Sequence, residues 1–190
     1  MKRETMDFST LCVIGMGYIG LPYATIFASK GLQVTGMDVN TKIIETLNAG
    51  CPHIFEPGLN ELFKAVLKSG KLTISCDVEP ADAFIIAVPT PFDAHKHADL
   101  SAVISACEAI VPHLRRGNLV ILESTSPPRT TLDLVAPLLE QSGFTAGEDF
   151  LLAYSPERVL PGKILSELVE NPRVIGGVNT ASAEAGRDLY

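Results

Sequence analysis

The run Gly15-Met16-Gly17-Tyr18-Ile19-Gly20 is the densest chemistry-bearing segment of the chain. Glycines at this spacing, between a short apolar run and a helical pattern, suit a pyrophosphate. Gly15 allows a tight turn, Gly17 removes a side chain so that phosphates can approach, and Gly20 lets the following helix pack on its strand. The helix start adds unpaired N–H groups and a partial positive charge. Asp38 follows Gly20 by 18 residues, at the end of the next apolar run. There a carboxylate can accept hydrogen bonds from both hydroxyls of an adenosine ribose. The same carboxylate repels a 2′-phosphate, so the pattern predicts NAD over NADP. The competing reading of these residues is a plain strand–helix turn with Asp38 as a helix cap.

Two more polar clusters follow apolar runs: Val88-Pro89-Thr90-Pro91 and Glu123-Ser124-Thr125-Ser126-Pro127-Pro128. Ligands of open α/β sheets bind beyond the carboxyl ends of the strands. Thr90 and Thr125 are therefore candidates for lining the nicotinamide side, with turn or helix capping as the alternative. The segment 92–99 carries His95, Lys96 and His97 and reads as solvated surface. The four cysteines form no C-x-x-C pair, and no histidine sits at a zinc spacing, so no metal site is predicted. Cys12, Cys76 and Cys107 lie in apolar or helical runs and read as small buried hydrophobes. Cys51, between Gly50 and Pro52, reads as exposed.

Positioning these residues requires a regular alternation of elements. Strands are predicted over 11–14, 32–37, 71–75, 83–88, 119–122 and 150–154, with a further short one at 174–176. Helices are predicted over 19–30, 41–49, 58–69, 100–114 and 127–142, the last capped by Ser126 with both prolines in its first turn. Four helices end at glycine, where a left-handed cap costs least. The strands are continuous Val/Ile/Leu runs, as in a parallel sheet covered on both faces. Strand–helix alternation with right-handed crossovers gives a Rossmann-type doubly wound α/β domain. Residues 1–177 form this dinucleotide-binding domain, and 178–190 begin a further helix. That helix has no polar tail and finishes on Leu189-Tyr190, which predicts a chain cut inside an element.

Composition sets outer limits. The chain has 190 residues, 46% hydrophobic and 19% charged, and a mean hydropathy of +0.25. One full domain with a sizeable core fits, and intrinsic disorder does not. A net charge of −7 argues against a nucleic-acid partner. No apolar run reaches the length of a membrane span. Residues 1–10 are polar and lack the apolar core of a signal peptide, which predicts a cytoplasmic protein.

The motifs taken together resemble the nucleotide-sugar 6-dehydrogenases, the family that contains UDP-glucose dehydrogenase. The resemblance rests on Val13-Ile14 with the glycine run and Leu21-Pro22, Gly36-Met37-Asp38-Val39-Asn40, Glu56-Pro57-Gly58-Leu59, Ala87-Val88-Pro89-Thr90-Pro91, Glu123-Ser124-Thr125, Ser155-Pro156-Glu157-Arg158 and Arg173-Val174-Ile175-Gly176-Gly177. They run in the family's order over nearly the whole chain. Within the family, the segments 121–127 and 154–162 are most similar to the branch acting on UDP-N-acetyl-D-mannosamine, with UDP-glucose and UDP-N-acetylglucosamine as alternatives.

The resemblance implies oxidation of a C6 primary alcohol to a carboxylate with two NAD+, through an aldehyde that a cysteine captures and a thioester that water hydrolyses. It implies NAD contacts from Tyr18, Ile19, Asp38, Thr90 and Thr125. It gives Glu157 a catalytic role beside Thr125, in proton transfer through water, and it puts Arg158 and Val159 on the UDP-sugar substrate. Read without the family, Glu157-Arg158 is a surface ion pair. The family's nucleophilic cysteine, its lysine and asparagine, its long central helix and its UDP-sugar-binding domain all come later than residue 190, as does the interface of its homodimers. This chain alone is therefore expected to bind NAD without turning over the sugar. Pro128-Arg129-Thr130 departs from the family, which often has glycine before the threonine. A stand-alone NAD-binding module with a sensing or docking role is the alternative of another class; a dehydrogenase for 2-hydroxy acids is a third.

Overall fold

The computed structural model describes residues 6–190; of the polar N-terminal stretch, 1–5 lie outside the described residues. Seven strands form one sheet: β1 (Thr10–Ile14), β2 (Gln33–Met37), β3 (Leu72–Ser75), β4 (Ala83–Ile86), β5 (Leu119–Leu122), β6 (Leu151–Tyr154) and β7 (Gly176–Gly177). Their order is β3-β2-β1-β4-β5-β6-β7. Strands β1 to β6 pair in parallel. The predicted all-parallel sheet needs one correction, because β7 runs antiparallel to β6.

The strand sequences explain why both faces are covered. Side chains alternate between faces, and here both sets are apolar. Leu11 and Val13 of β1, Ile85 of β4 and Ile121 of β5 join one buried cluster. Cys12, Ile14, Phe84 and Val120 join the other. The first face is covered by α1 (Gly20–Ser29) and α3 (Leu59–Lys68), through Leu21, Phe27 and Phe63, and by Leu47 of α2 (Thr41–Asn48). The second is covered by α4 (Ser101–Ile110) and α5 (Ala136–Leu139), through Val103, Ile110 and Leu139. Two later helices, α6 (Ile164–Glu170) and α7 (Thr180–Leu189), return to the first face with Ile164, Ala185 and Leu189. The chain leaves β1 toward β2 in one direction and reaches β4 in the other. The strand order thus reverses between β1 and β4, which opens a crevice at their carboxyl ends.

Three expectations are corrected. The helix predicted over 127–142 starts later and is irregular: a π turn at Thr131–Val135, α5, then a 3-10 turn at Glu140–Ser142. Pro137 has no N–H to give the carbonyl of Asp133, which breaks the regular ladder. Pro127 closes a turn before the helix, its carbonyl accepting from Thr130 N at 3.2 Å, so Ser126 is not a cap. Helix α6 was not expected; it has seven residues, too few for a clear period. Cys76 is exposed rather than buried, because β3 ends one residue before it; Cys12 and Cys107 are buried and Cys51 is exposed, as expected.

A long-range tie holds the segment after β6. The buried Glu56 carboxylate accepts from Gly162 N at 2.9 Å and Ile164 N at 2.7 Å.

Candidate active site

The glycine run sits where the crevice opens. Gly15 has φ +94°, and a Cβ there would lie 2.7 Å from the carbonyl oxygen of Ala87. A side chain at Gly20 would collide with the carbonyl of Gly15 at 1.7 Å. Gly17 differs, since a Cβ there would point into open space. Gly15 and Gly20 thus shape the loop, and Gly17 leaves room beside it. The first N–H groups of α1 have no partner within the helix and flank that room.

Two adjoining clefts share Gly17, Ala87, Val88 and Pro89. The first, of about 520 Å³, is lined by Gly15, Asp38, Val39 and Ser105 among others. Asp38 is half-buried. Its Oδ2 accepts from Met16 N and its Oδ1 from Asn40 N, both at 2.9 Å. The cap of α2 is Asn40, whose side chain accepts from Lys42 N at 3.1 Å. Asp38 therefore ties the end of β2 to the glycine loop and keeps its carboxylate at the cleft wall.

The second cleft, of about 380 Å³, is lined by Tyr18, Ile19, Thr90, Thr125, Glu157 and Val159, with Glu123 at its base. Thr90 Oγ1 donates to the Thr125 carbonyl at 2.5 Å, which fixes the two strand ends to each other. Arg158 departs from this group: its guanidinium donates to the Pro172 carbonyl, away from the cleft. Arg129 lines neither cleft. It pairs with Asp133 at 2.6 Å on the surface and holds a left-handed φ of 71°, which explains why glycine suits that position. The segment 92–99 is exposed except for Ala98, which is half-buried, so it is largely solvated as expected.

Beneath the second cleft lies a polar cluster that sequence reasoning missed. Glu157 Oε1 accepts from Arg158 N at 2.6 Å, and its Oε2 accepts from the Tyr23 hydroxyl. Arg173 donates to the same Tyr23 oxygen and approaches Glu157 Oε2 at 3.4 Å and Glu123 Oε1 at 3.5 Å. Tyr190 donates to Glu123 Oε1, and its ring lies under the Arg173 guanidinium at 3.9 Å from the centroid. Glu123 Oε2 is buried without a hydrogen-bond partner. Burial pushes the Glu123 carboxyl up to about 8, against the hydrogen bond from Tyr190 and the charge of Arg173. Burial likewise raises the Tyr23 and Tyr190 hydroxyls well above their ordinary range. Burial opposes the Arg173 charge, but the facing Tyr23, Tyr190 and Glu123 outweigh it and hold the guanidinium protonated. One local signal pointed here: Glu123 directly follows four strand residues that are all apolar, an unusual place for an acid unless it is used.

The parallel sheet, the shaped glycine loop and the acid at the end of β2 define a Rossmann-type dinucleotide-binding domain. Comparison with known proteins gives the family. Residues 9–190 match the UDP-glucose/GDP-mannose dehydrogenase family, NAD binding domain, and the chain belongs to that family, with NAD as its cofactor. It is 46% identical to the UDP-N-acetyl-D-mannosamine dehydrogenase of Methanococcus maripaludis, over 100% of this chain and 43% of the relative. It is 48% identical to an NDP-N-acetyl-D-galactosaminuronic acid dehydrogenase of Ralstonia nicotianae, over 97% of this chain and 45% of the relative. The solved UDP-N-acetyl-mannosamine dehydrogenase of Staphylococcus aureus superposes with a TM-score of 0.92 at 51% identity, covering 95% of this chain and 44% of that one. The chain thus spans less than half the length of these relatives.

Proposed function

We propose that this chain is the cofactor half of a nucleotide-sugar 6-dehydrogenase, acting with two NAD+ on UDP-N-acetyl-D-mannosamine to give the uronate. The observation that carries the reading is the pair of clefts joined at Gly17, with Asp38 at one end and Thr125 and Glu157 at the other. The residues fit a dinucleotide. The open space at Gly17 and the N-terminus of α1 suit the pyrophosphate, and Asp38 suits the adenosine ribose. Tyr18, Ile19, Thr90 and Thr125 suit the nicotinamide side.

When bound, NAD+ supplies the hydride acceptor. The chain's own residues orient and exclude water. Thr90 and Thr125 hold two strand ends together at the reacting end, and Val159 gives the cleft an apolar wall for the sugar. Glu157 accepts a proton there; as a carboxylate with both oxygens supplied with donors, it is fixed in direction. Arg158 reaches the sugar only by leaving the Pro172 carbonyl. The likeness to a galactosaminuronic acid dehydrogenase supports a second reading, an N-acetylgalactosamine nucleotide as substrate. UDP-glucose and UDP-N-acetylglucosamine are not better supported; the likeness to a solved UDP-glucose dehydrogenase of Pyrobaculum islandicum is at 36% identity. We infer that the whole protein works in the cytoplasm as a homodimer or larger homo-oligomer; no helix among the described residues is long and apolar enough to cross a membrane.

Fluorescence titration of this chain with NADH tests the cofactor half of the reading. Saturable binding, with no steady NADH production from NAD+ and the UDP-sugar, is expected. Sustained turnover by these 190 residues would overturn it.

A further inference from the structure

Two carboxyl groups share one guanidinium beneath the second cleft, and their surroundings differ. Glu157 is served as an anion. Each of its oxygens meets a donor, Arg158 N on Oε1 and the Tyr23 hydroxyl with Arg173 on Oε2. Glu123 is not. Tyr190 and Arg173 both approach Oε1, and Oε2 is buried with nothing to donate to it. An ionised carboxyl would leave charge on that undonated oxygen, which is costly away from water. Protonating the carboxyl removes that charge. Two carboxylates around one cation would also repel each other, and pairs whose environments diverge divide into an acid and a base.

We propose that Glu123 and Glu157 form a divided pair around Arg173, in which Glu157 is the single anion facing the cleft, Glu123 stays the neutral acid, and Arg173 and Tyr23 are the positioning residues that fix the division. The groups facing Glu123 come from four segments: Tyr23 from α1, Glu157 after β6, Arg173 before β7 and Tyr190 after α7. The neutral acid leaves the Arg173 charge undivided for Glu157. It also leaves the cleft one anion fewer to set against the phosphates of a dinucleotide. The inference deepens the dehydrogenase reading and rests on it for the use of Glu157, though the division of charge is a property of this chain by itself.

Carboxyl carbon NMR of the chain, labelled at glutamate and titrated from acid to alkaline pH, reads both groups directly. At neutral pH the expected spectrum shows Glu123 protonated, titrating near 8. Glu123→Gln should delete that alkaline titration. Arg173→Gln should move the Glu123 titration further up, because the guanidinium charge holds it down, and Arg173→Lys should restore part of it. Tyr23→Phe, which keeps the buried ring, should shift Glu123 in the same direction by less; it carries the test if the Arg173 variants do not fold. The proposal is overturned if Glu123 is ionised at neutral pH, or if Glu123 titrates alike in the native chain and Tyr23→Phe. NADH titration of the same samples separates the two ideas. A native chain that shows the divided pair but binds no NADH sinks the dehydrogenase reading and leaves the pair standing.

Discussion

The two ends of the crevice are built in opposite ways. At the end proposed to hold adenosine, the loop and the acid come from one continuous strand–helix–strand unit, and Asp38 is anchored by backbone N–H groups at 2.9 Å. At the proposed reacting end, the polar groups come from five separated segments, and one hydrogen bond joins Glu123 to Tyr190 across 67 residues. The first arrangement survives changes elsewhere, because its donors are main chain. The second is a set of side chains that satisfy one another, so each depends on the rest.

The contrast is broken most directly at Arg173. Arg173→Ala leaves Glu157 and the Tyr23 hydroxyl without their shared cation in a mostly buried place. It should cost about 3 kcal/mol of stability, read as a lower midpoint in urea unfolding. An unchanged midpoint would make the reacting end no more interdependent than the other. At the adenosine end, Asp38→Ala should weaken NAD binding by about 1–3 kcal/mol, the value of charge-assisted hydrogen bonds, with a smaller loss for NADP. Equal NAD binding by the variant, measured by NADH fluorescence, would show that Asp38 is not the ribose acid.

What was legible from the sequence follows the same division. The glycine run, Asp38, Thr90 and Thr125 sit at strand ends and line the clefts, and their places depend on neighbours within a few residues, so spacing alone put them there. Six of the seven strands were found because each is a short apolar run between turn signals, and the seventh, expected over 174–176, lies at Gly176–Gly177. The polar cluster was invisible, because nothing local ties Tyr23 to Glu157 or Arg173 to Glu123. Tyr23 is buried in the core and Tyr190 packs against it half-buried; only the fold shows what their hydroxyls meet. The late helix α6 and the reversed direction of β7 were obscured for the same reason, since both are set by contacts with distant elements.

A pH titration of stability sharpens the comparison further. The folded state raises the Glu123 carboxyl to about 8 from an ordinary value near 4.5. Between those values the folded chain holds a proton that the unfolded chain has lost. This contribution is therefore fully favourable at acid pH, declines as pH rises through the window, and is gone above about 8. Glu123→Gln should flatten the decline, as read from thermal midpoints across the window; a slope that persists in the variant would assign it to other groups. The smallest effect is expected in the loop after β5. Arg129→Gly relieves a left-handed backbone at φ 71° and gives up only an exposed ion pair. It should gain about 0.5 kcal/mol, left after the larger chain entropy of glycine offsets part of the relief. A loss of stability in calorimetry would mean that the pair with Asp133 matters more than the strain.

The tie from Glu56 to Gly162 and Ile164 bears on when the reacting end takes shape. Its two hydrogen bonds close loops of 106 and 108 residues, and closure over such distances carries its entropy cost before any contact returns it. The segment bearing Glu157 is therefore expected to lock last, after the sheet has assembled. Once locked, its amides behave unlike those of a surface loop: the N–H groups of Gly162 and Ile164 should exchange with solvent only through an opening large enough to withdraw a buried carboxylate.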